Sequence, residues 1–230
     1  MATYVLLHGG WAGGWMWQET GDILEKAGHK VYRPSLTGMG ERVHLASPEV
    51  GMDTHVQDVV NLLVFEQLED AILVGYSYSG MVITGVAEQA PERIKQLIYL
   101  DAYVPDDGQS LATLVGDDVM SWLKQAADDY GDGWQILSNP SDSDRHVAQP
   151  LKPVYDSVRS QNVQAATLPS TFIHCTTIID EMRPIIAPII AKAQQLQNDA
   201  NWKYHEIDAE HGSVWETHPQ AVADLLMTLA

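Results

Sequence analysis

Short apolar runs rich in β-branched residues alternate along this chain with longer segments in which apolar residues recur every three or four positions. The first pattern reads as strand and the second as helix. Strands are expected at residues 3–7, 30–33, 71–74, 96–100, 171–175 and 202–207, and helices at 15–27, 54–65, 79–88, 184–196 and 219–229. Pro219 would open the last helix, where a missing N–H costs nothing. Strand and helix in alternation predict an α/β fold, a parallel sheet flanked by crossover helices.

The alternation breaks once. Between the fourth and fifth strands lie residues 104–168, far more than one crossover helix needs. Two helical patterns, at 110–128 and 153–161, are separated there by the breakers Gly131, Gly133 and Pro140. This insertion is read as a cap over the edge of the sheet, within a single domain spanning 1–230. No repeat and no Gly/Ser/Pro-rich linker divides the chain.

Composition narrows the functional classes. A formal charge of −18 repels phosphate backbones and anionic lipid surfaces, so nucleic acid and membrane are not expected partners. No stretch reaches the roughly 18 apolar residues of a membrane span, and the N-terminus has no basic leader. Cys175 is the single cysteine, which rules out an intramolecular disulfide and fits a cytoplasmic setting.

The most informative segment is Ala71-Ile-Leu-Val-Gly-Tyr-Ser-Tyr-Ser-Gly-Met. A buried strand turns sharply at Ser77 into a helix, the signature of a nucleophile elbow. So tight a turn demands small residues two before and two after the serine. They are Gly75 and Ser79, the latter a departure from glycine that Gly80 partly repairs.

A serine hydroxyl needs a base to take its proton. Of nine histidines, His211 follows the last strand in the loop Glu-His-Gly-Ser, at the same carboxyl edge as Ser77. A carboxylate must then hold the imidazole in the right tautomer. Asp101, which ends the fourth strand, is favoured on register. Asp180, beyond the fifth strand but two residues later than expected, is the alternative. The oxyanion donors are expected to be the amides of Gly10, in His8-Gly-Gly-Trp, and Tyr78. That turn lacks both G-x-G-x-x-G and a P-loop lysine, which argues against phosphate binding. No His, Cys or carboxylate spacing implies a metal, and no cofactor is called for. Trp11 beside the oxyanion loop, and Met120, Trp122 and Trp134 in the cap, are the expected substrate contacts.

With these pieces in hand the chain resembles the α/β-hydrolase superfamily, in the branch of small esterases related to plant methylesterases and hydroxynitrile lyases and their bacterial homologues. The resemblance is carried by Leu7-His-Gly-Gly-Trp-Ala-Gly-Gly-Trp, Leu36-Thr-Gly-Met-Gly-Glu-Arg-Val-His-Leu, Leu73-Val-Gly-Tyr-Ser-Tyr-Ser-Gly-Met and Tyr99-Leu-Asp-Ala-Tyr-Val-Pro. It covers residues 4 to about 103 and 171 to the end, and is weak in the cap. It implies a six-stranded sheet in the order 2-1-3-4-5-6, with the acid after either of two strands. The plant-type pattern would place the later acid at Ile178, which weakens Asp180. Lyases resembling this branch carry threonine and lysine where Gly9 and Gly212 stand, which favours hydrolysis of a small, largely apolar carboxylic ester through an acyl-enzyme. The same site could serve C–C bond hydrolysis, lactone opening or lyase chemistry, or a binding protein that has lost turnover.

Overall fold

The structure is a computed structural model and describes residues 1–138 and 144–230. Pro140, read above as a breaker, lies outside the described residues. Eight strands are described: β1 (Thr3–Leu7), β2 (Lys30–Tyr32), β3 (Ala71–Tyr76), β4 (Ile94–Leu100), β5 (Gln135–Ile136), β6 (Gln149–Pro150), β7 (Ser170–Thr177) and β8 (Trp202–Glu210). Six form one parallel sheet in the order β2-β1-β3-β4-β7-β8, which is the expected order once the cap pair is set aside. The helices are α1 (Gln18–Lys26), α2 (Met52–Phe65), α3 (Ser79–Gln89), α4 (Leu111–Val115), α5 (Asp117–Tyr130), α6 (Lys152–Tyr155), α7 (Arg183–Leu196), α8 (Val214–Thr217) and α9 (Pro219–Leu229).

The central strands β1, β3 and β4 are buried on both faces, and their successive side chains divide between two cores, as a period of two requires. Val5, Leu7 and Leu73 pack with Val56, Val59 and Leu63 of α2, Val82 and Val86 of α3 and Ile189 of α7. Tyr4, Leu6, Ile72 and Val74 face the other way, onto Trp17, Leu24 of α1 and Val222 and Leu226 of α9. Each of these large side chains contributes about 1.5–3 kcal/mol by leaving water. Register then delivers the chemistry. Leu7 pairs with Gly75, Tyr76 with Leu100 and Leu100 with Ile173, so His8, Ser77 and Asp101 leave neighbouring strands at one level.

The cap differs most from expectation. Its first helical pattern is broken at Gly116, whose φ of +84° ends α4 and starts α5. The second contracts to the four residues of α6. Between them β5 and β6 form an antiparallel pair that no run of alternating residues announced. The cap has its own small core of Met120, Leu123, Ala127, Ile136, Leu151 and Val154.

Candidate active site

Three residues at the carboxyl edge hold left-handed backbone angles: Trp11 (φ +59°), Ser77 (φ +51°) and Asp101 (φ +41°). Each costs on the order of 1–3 kcal/mol and persists only because its surroundings over-determine it. At Ser77 those surroundings are visible. Its N–H donates to Leu100 O (3.3 Å) and its carbonyl accepts from Tyr103 N–H (3.1 Å). A Cβ on Gly75 would fall 2.6 Å from the carbonyl oxygen of Ser79, and one on Gly80 only 2.0 Å from that of Tyr103. Ser79 is fully buried, and its hydroxyl donates to the carbonyl of His8. The small-residue requirement therefore falls on Gly80, and a serine is accommodated before it.

Ser77 Oγ lies 3.0 Å from His211 Nε2, and His211 Nδ1 lies 2.7 Å from Asp101 Oδ2. The second carboxylate oxygen of Asp101 accepts from Cys175 N–H (3.1 Å) and lies 2.8 Å from His174 Nδ1. Burial opposes the charge on Asp101, but the hydrogen bonds from His174, His211 and Cys175 hold its pKa below the ordinary carboxylate value. The Tyr76 ring stacks on His211, and its hydroxyl donates to the His211 carbonyl, which fixes the loop carrying that imidazole. Asp180, the alternative acid, does not reach His211: it stands 89% exposed beyond the end of β7 and pairs with Arg183 at 3.3 Å. Two residues of extra loop carry it past the histidine.

Two buried histidines brace this edge. His8 Nδ1–H donates to Gly9 O (2.8 Å) while Nε2 accepts from Leu36 N–H (3.0 Å). The Tyr78 hydroxyl donates to His55 Nδ1 (2.7 Å), and His55 Nε2–H donates to Thr37 O (3.0 Å). Burial lowers both imidazoles to about 4, so each is neutral and able to accept. They tie the segments bearing Gly10 and Tyr78 to the Leu36-Thr37 loop. Cys175 is buried, and burial followed by the Asp101 charge pushes its thiol up, away from nucleophilic use.

Two chambers meet over Ser77 and share Gly10, Trp11, Ile136 and Ile185 as walls. The larger, about 410 Å³, runs along His211, Gly212 and Trp215 to Trp122 of the cap. The smaller, about 50 Å³, is lined by Tyr78, Tyr103, Gln149 and apolar residues of α4 and α5. Of the expected contacts, Trp11 and Trp122 line these chambers. Met120 and Trp134 do not: Met120 is turned into the core of the cap, and Trp134 stands half-buried beside β5. Trp11 does more than form a wall. Its indole N–H donates to Ile136 O (2.9 Å), its amide N–H to Gln149 Oε1 (3.3 Å), and its carbonyl accepts from Val147 N–H (2.8 Å), which docks β5 and β6 onto the glycine-rich loop after β1. Sequence reasoning missed Gln149 and the pairing of His174 with Asp101. For His174 a signal existed: it points to the same sheet edge one strand from Asp101. Among the described residues no group of three His, Cys or carboxylate side chains is arranged to hold a metal, and no helix is long and apolar enough to cross a membrane.

A six-stranded parallel sheet with a serine elbow and a histidine after its last strand defines an α/β hydrolase. Residues 4–225 match the alpha/beta hydrolase family, and the chain belongs to it. It is 50% identical over 115 residues to a carbendazim hydrolyzing esterase of Nocardioides sp. (strain SG-4G), an alignment covering 50% of this chain and 48% of that protein. To an α-hydroxynitrile lyase of Arabidopsis thaliana it is 32% identical over 104 residues, 45% of this chain and 40% of that one. The matched region thus spans about half the length of these curated relatives or less. An extracellular α/β-hydrolase from a Paenibacillus species, described as sharing structural and functional homology with tobacco salicylic acid binding protein 2, superimposes with a TM-score of 0.81 at 25% identity, over 99% of this chain and 98% of that one.

Proposed function

We propose that this protein is a serine esterase that hydrolyses a carboxylic ester of a small, largely apolar substrate through an acyl-enzyme. The observation that carries the reading is the unbroken line from Ser77 Oγ to His211 (3.0 Å) and from His211 to Asp101 (2.7 Å), facing a cavity. Ser77 attacks the ester carbonyl as His211 takes its proton, and the backbone amides of Gly10 and Tyr78 receive the oxyanion. His211 then returns the proton to the leaving alkoxide. A water, deprotonated by the same imidazole, releases the acid. Asp101, kept ionised by its hydrogen bonds, holds the histidine tautomer and stabilises the imidazolium.

The 50% identity to a protein named an esterase supports this chemistry over lyase chemistry, as does glycine at positions 9 and 212. The substrate is a small molecule, and a cytoplasmic setting goes with the single reduced cysteine. A panel of p-nitrophenyl esters tests the activity. Turnover is expected, with a serine-reactive phosphonate forming its adduct on Ser77. An adduct on Ser79, or no adduct and no turnover, would remove the assignment.

A further inference from the structure

Gln149 is 3% exposed and faces the smaller chamber beside Ser77. Its amide is oriented by its neighbour: Trp11 N–H is a donor, so the atom 3.3 Å away must be Oε1, and Nε2 takes the other place. Among the described residues Nε2 has no hydrogen-bond partner. A buried donor left unpaired is costly, which makes it responsive to any acceptor a substrate brings. The amide also lies close to the oxyanion loop, since a Cβ on Gly10 would fall 3.6 Å from Oε1.

The two chambers take different halves of an ester. His211 must protonate the departing oxygen, so the alcohol lies on its side, in the chamber of about 410 Å³ that His211 lines. The acyl group is left with the chamber of about 50 Å³, lined by Tyr78 and Gln149 but not by His211. At about 10–15 Å³ of such space per water, it holds an acyl tail of only a few heavy atoms. Its remaining walls, among them Val115, Leu123 and Ile136, are apolar.

Resting on the esterase reading, we propose that Gln149 is a specificity-determining residue: its side-chain N–H hydrogen-bonds an oxygen on C2 of a short acyl group, so that the enzyme favours esters of small 2-oxygenated acids over their all-carbon counterparts. Phenyl hydroxyacetate and phenyl propanoate test this, because they share a leaving group and differ by one hydroxyl in place of one methyl. Dividing the ratio of their kcat/KM values by the ratio of their hydroxide-catalysed rates in water removes intrinsic reactivity. The corrected preference of the wild type is expected to be about tenfold or more for the hydroxyacetate, the factor of one buried hydrogen bond. Gln149→Met should bring it to near unity.

A corrected wild-type ratio near unity would overturn the proposal, and this arm needs no variant, so a misfolded Gln149→Met leaves it decisive. Equal losses on both esters in Gln149→Met, with the preference kept, would confine Gln149 to holding the Trp11 loop through Oε1, and would also overturn it. Hydrolysis of both esters with no preference sinks the role of Gln149 alone. No hydrolysis of either, with no phosphonate adduct on Ser77, sinks the esterase reading and this one with it.

Discussion

The two walls of the cavity over Ser77 are built by different means. On the sheet side the backbone does the positioning: Ser77 and Asp101 sit in left-handed conformations directly past strand ends and Trp11 in one four residues past β1, and hydrogen bonds hold them there. On the cap side the wall is made of side chains on elements that share only a six-residue core, and Trp122 on α5 is 62% exposed. A wall fixed by backbone tolerates few substitutions, and its failures are failures of chemistry. A wall of side chains can be altered residue by residue, so its failures are changes in affinity.

The sharpest test of the sheet side is the unity of its parts. Ser77→Ala and His211→Ala should each lower kcat by on the order of 10⁶, and the double variant should be little worse, because the two groups act as one. Circular dichroism and thermal unfolding should show the fold kept. A double variant whose loss is the product of the singles would mean that serine and histidine work independently, against the 3.0 Å contact between them.

The acid comes next. Asp101→Asn should lower kcat by roughly 10⁴ with KM little changed, by favouring the wrong imidazole tautomer. Asp180→Asn, at an exposed ion pair, should cost less than about tenfold, since such pairs contribute little. His174→Gln tests whether the second imidazole on Asp101 matters. A loss of about tenfold in kcat is expected from one hydrogen bond to a buried charge, without a change in KM and with recovery in His174→Asn, whose amide N–H stands where Nδ1 stood while that of the longer glutamine does not. A large loss at Asp180 would contradict the geometry outright.

Stability supplies a pH-dependent version of the same comparison. His8 and His55 brace the sheet side and are lowered by burial to about 4, against about 6.5 for an exposed imidazole. Between those values the unfolded chain binds protons that the folded chain refuses, so their stabilisation is full above about pH 6.5 and falls on acidification. Each should steepen the loss by about 1.4 kcal/mol per pH unit in that window. Urea unfolding at pH 7, 6 and 5 measures it. His55→Gln should start less stable and fall less steeply, and an unchanged slope would mean that His55 is protonated in the folded protein.

The same division explains what was legible in the sequence. Strand alternation, the Ser77 turn and the Gly-rich loop after β1 are consequences of backbone geometry, and geometry restricts residue type locally. The six strands and the meeting of Ser77 with His211 at one edge could be read for that reason, whereas the strand order came from the family resemblance and Asp180 stood open beside Asp101, the carboxylate that the structure sets against His211. The cap could not be read. The β5–β6 pair is two residues on each strand, too short for any periodicity, and it is held by Trp11 from more than a hundred positions away. Met120 and Trp134 carried no mark separating a residue that roofs a pocket from one that fills the core of the cap, because both are simply large and apolar. Gln149 was invisible because a buried, half-satisfied amide is a property of its surroundings alone.

Trp122 should give the smallest effect, and it bears most directly on the cap. Its side chain reaches the larger chamber from α5 while remaining mostly in solvent, so truncation removes a partial wall without opening a cavity in any core. Trp122→Ala is therefore expected to raise KM by a few-fold for esters with a bulky alcohol. It should leave kcat and the thermal midpoint nearly unchanged, since partial burial of an aromatic ring contributes about 1 kcal/mol to binding. An ester of methanol, too small to reach α5, should show no change at all. If kcat fell instead, or if small and bulky alcohols suffered alike, Trp122 would be acting on the sheet side through the position of the cap, and the separation between a wall that reacts and a wall that selects would fail at this residue.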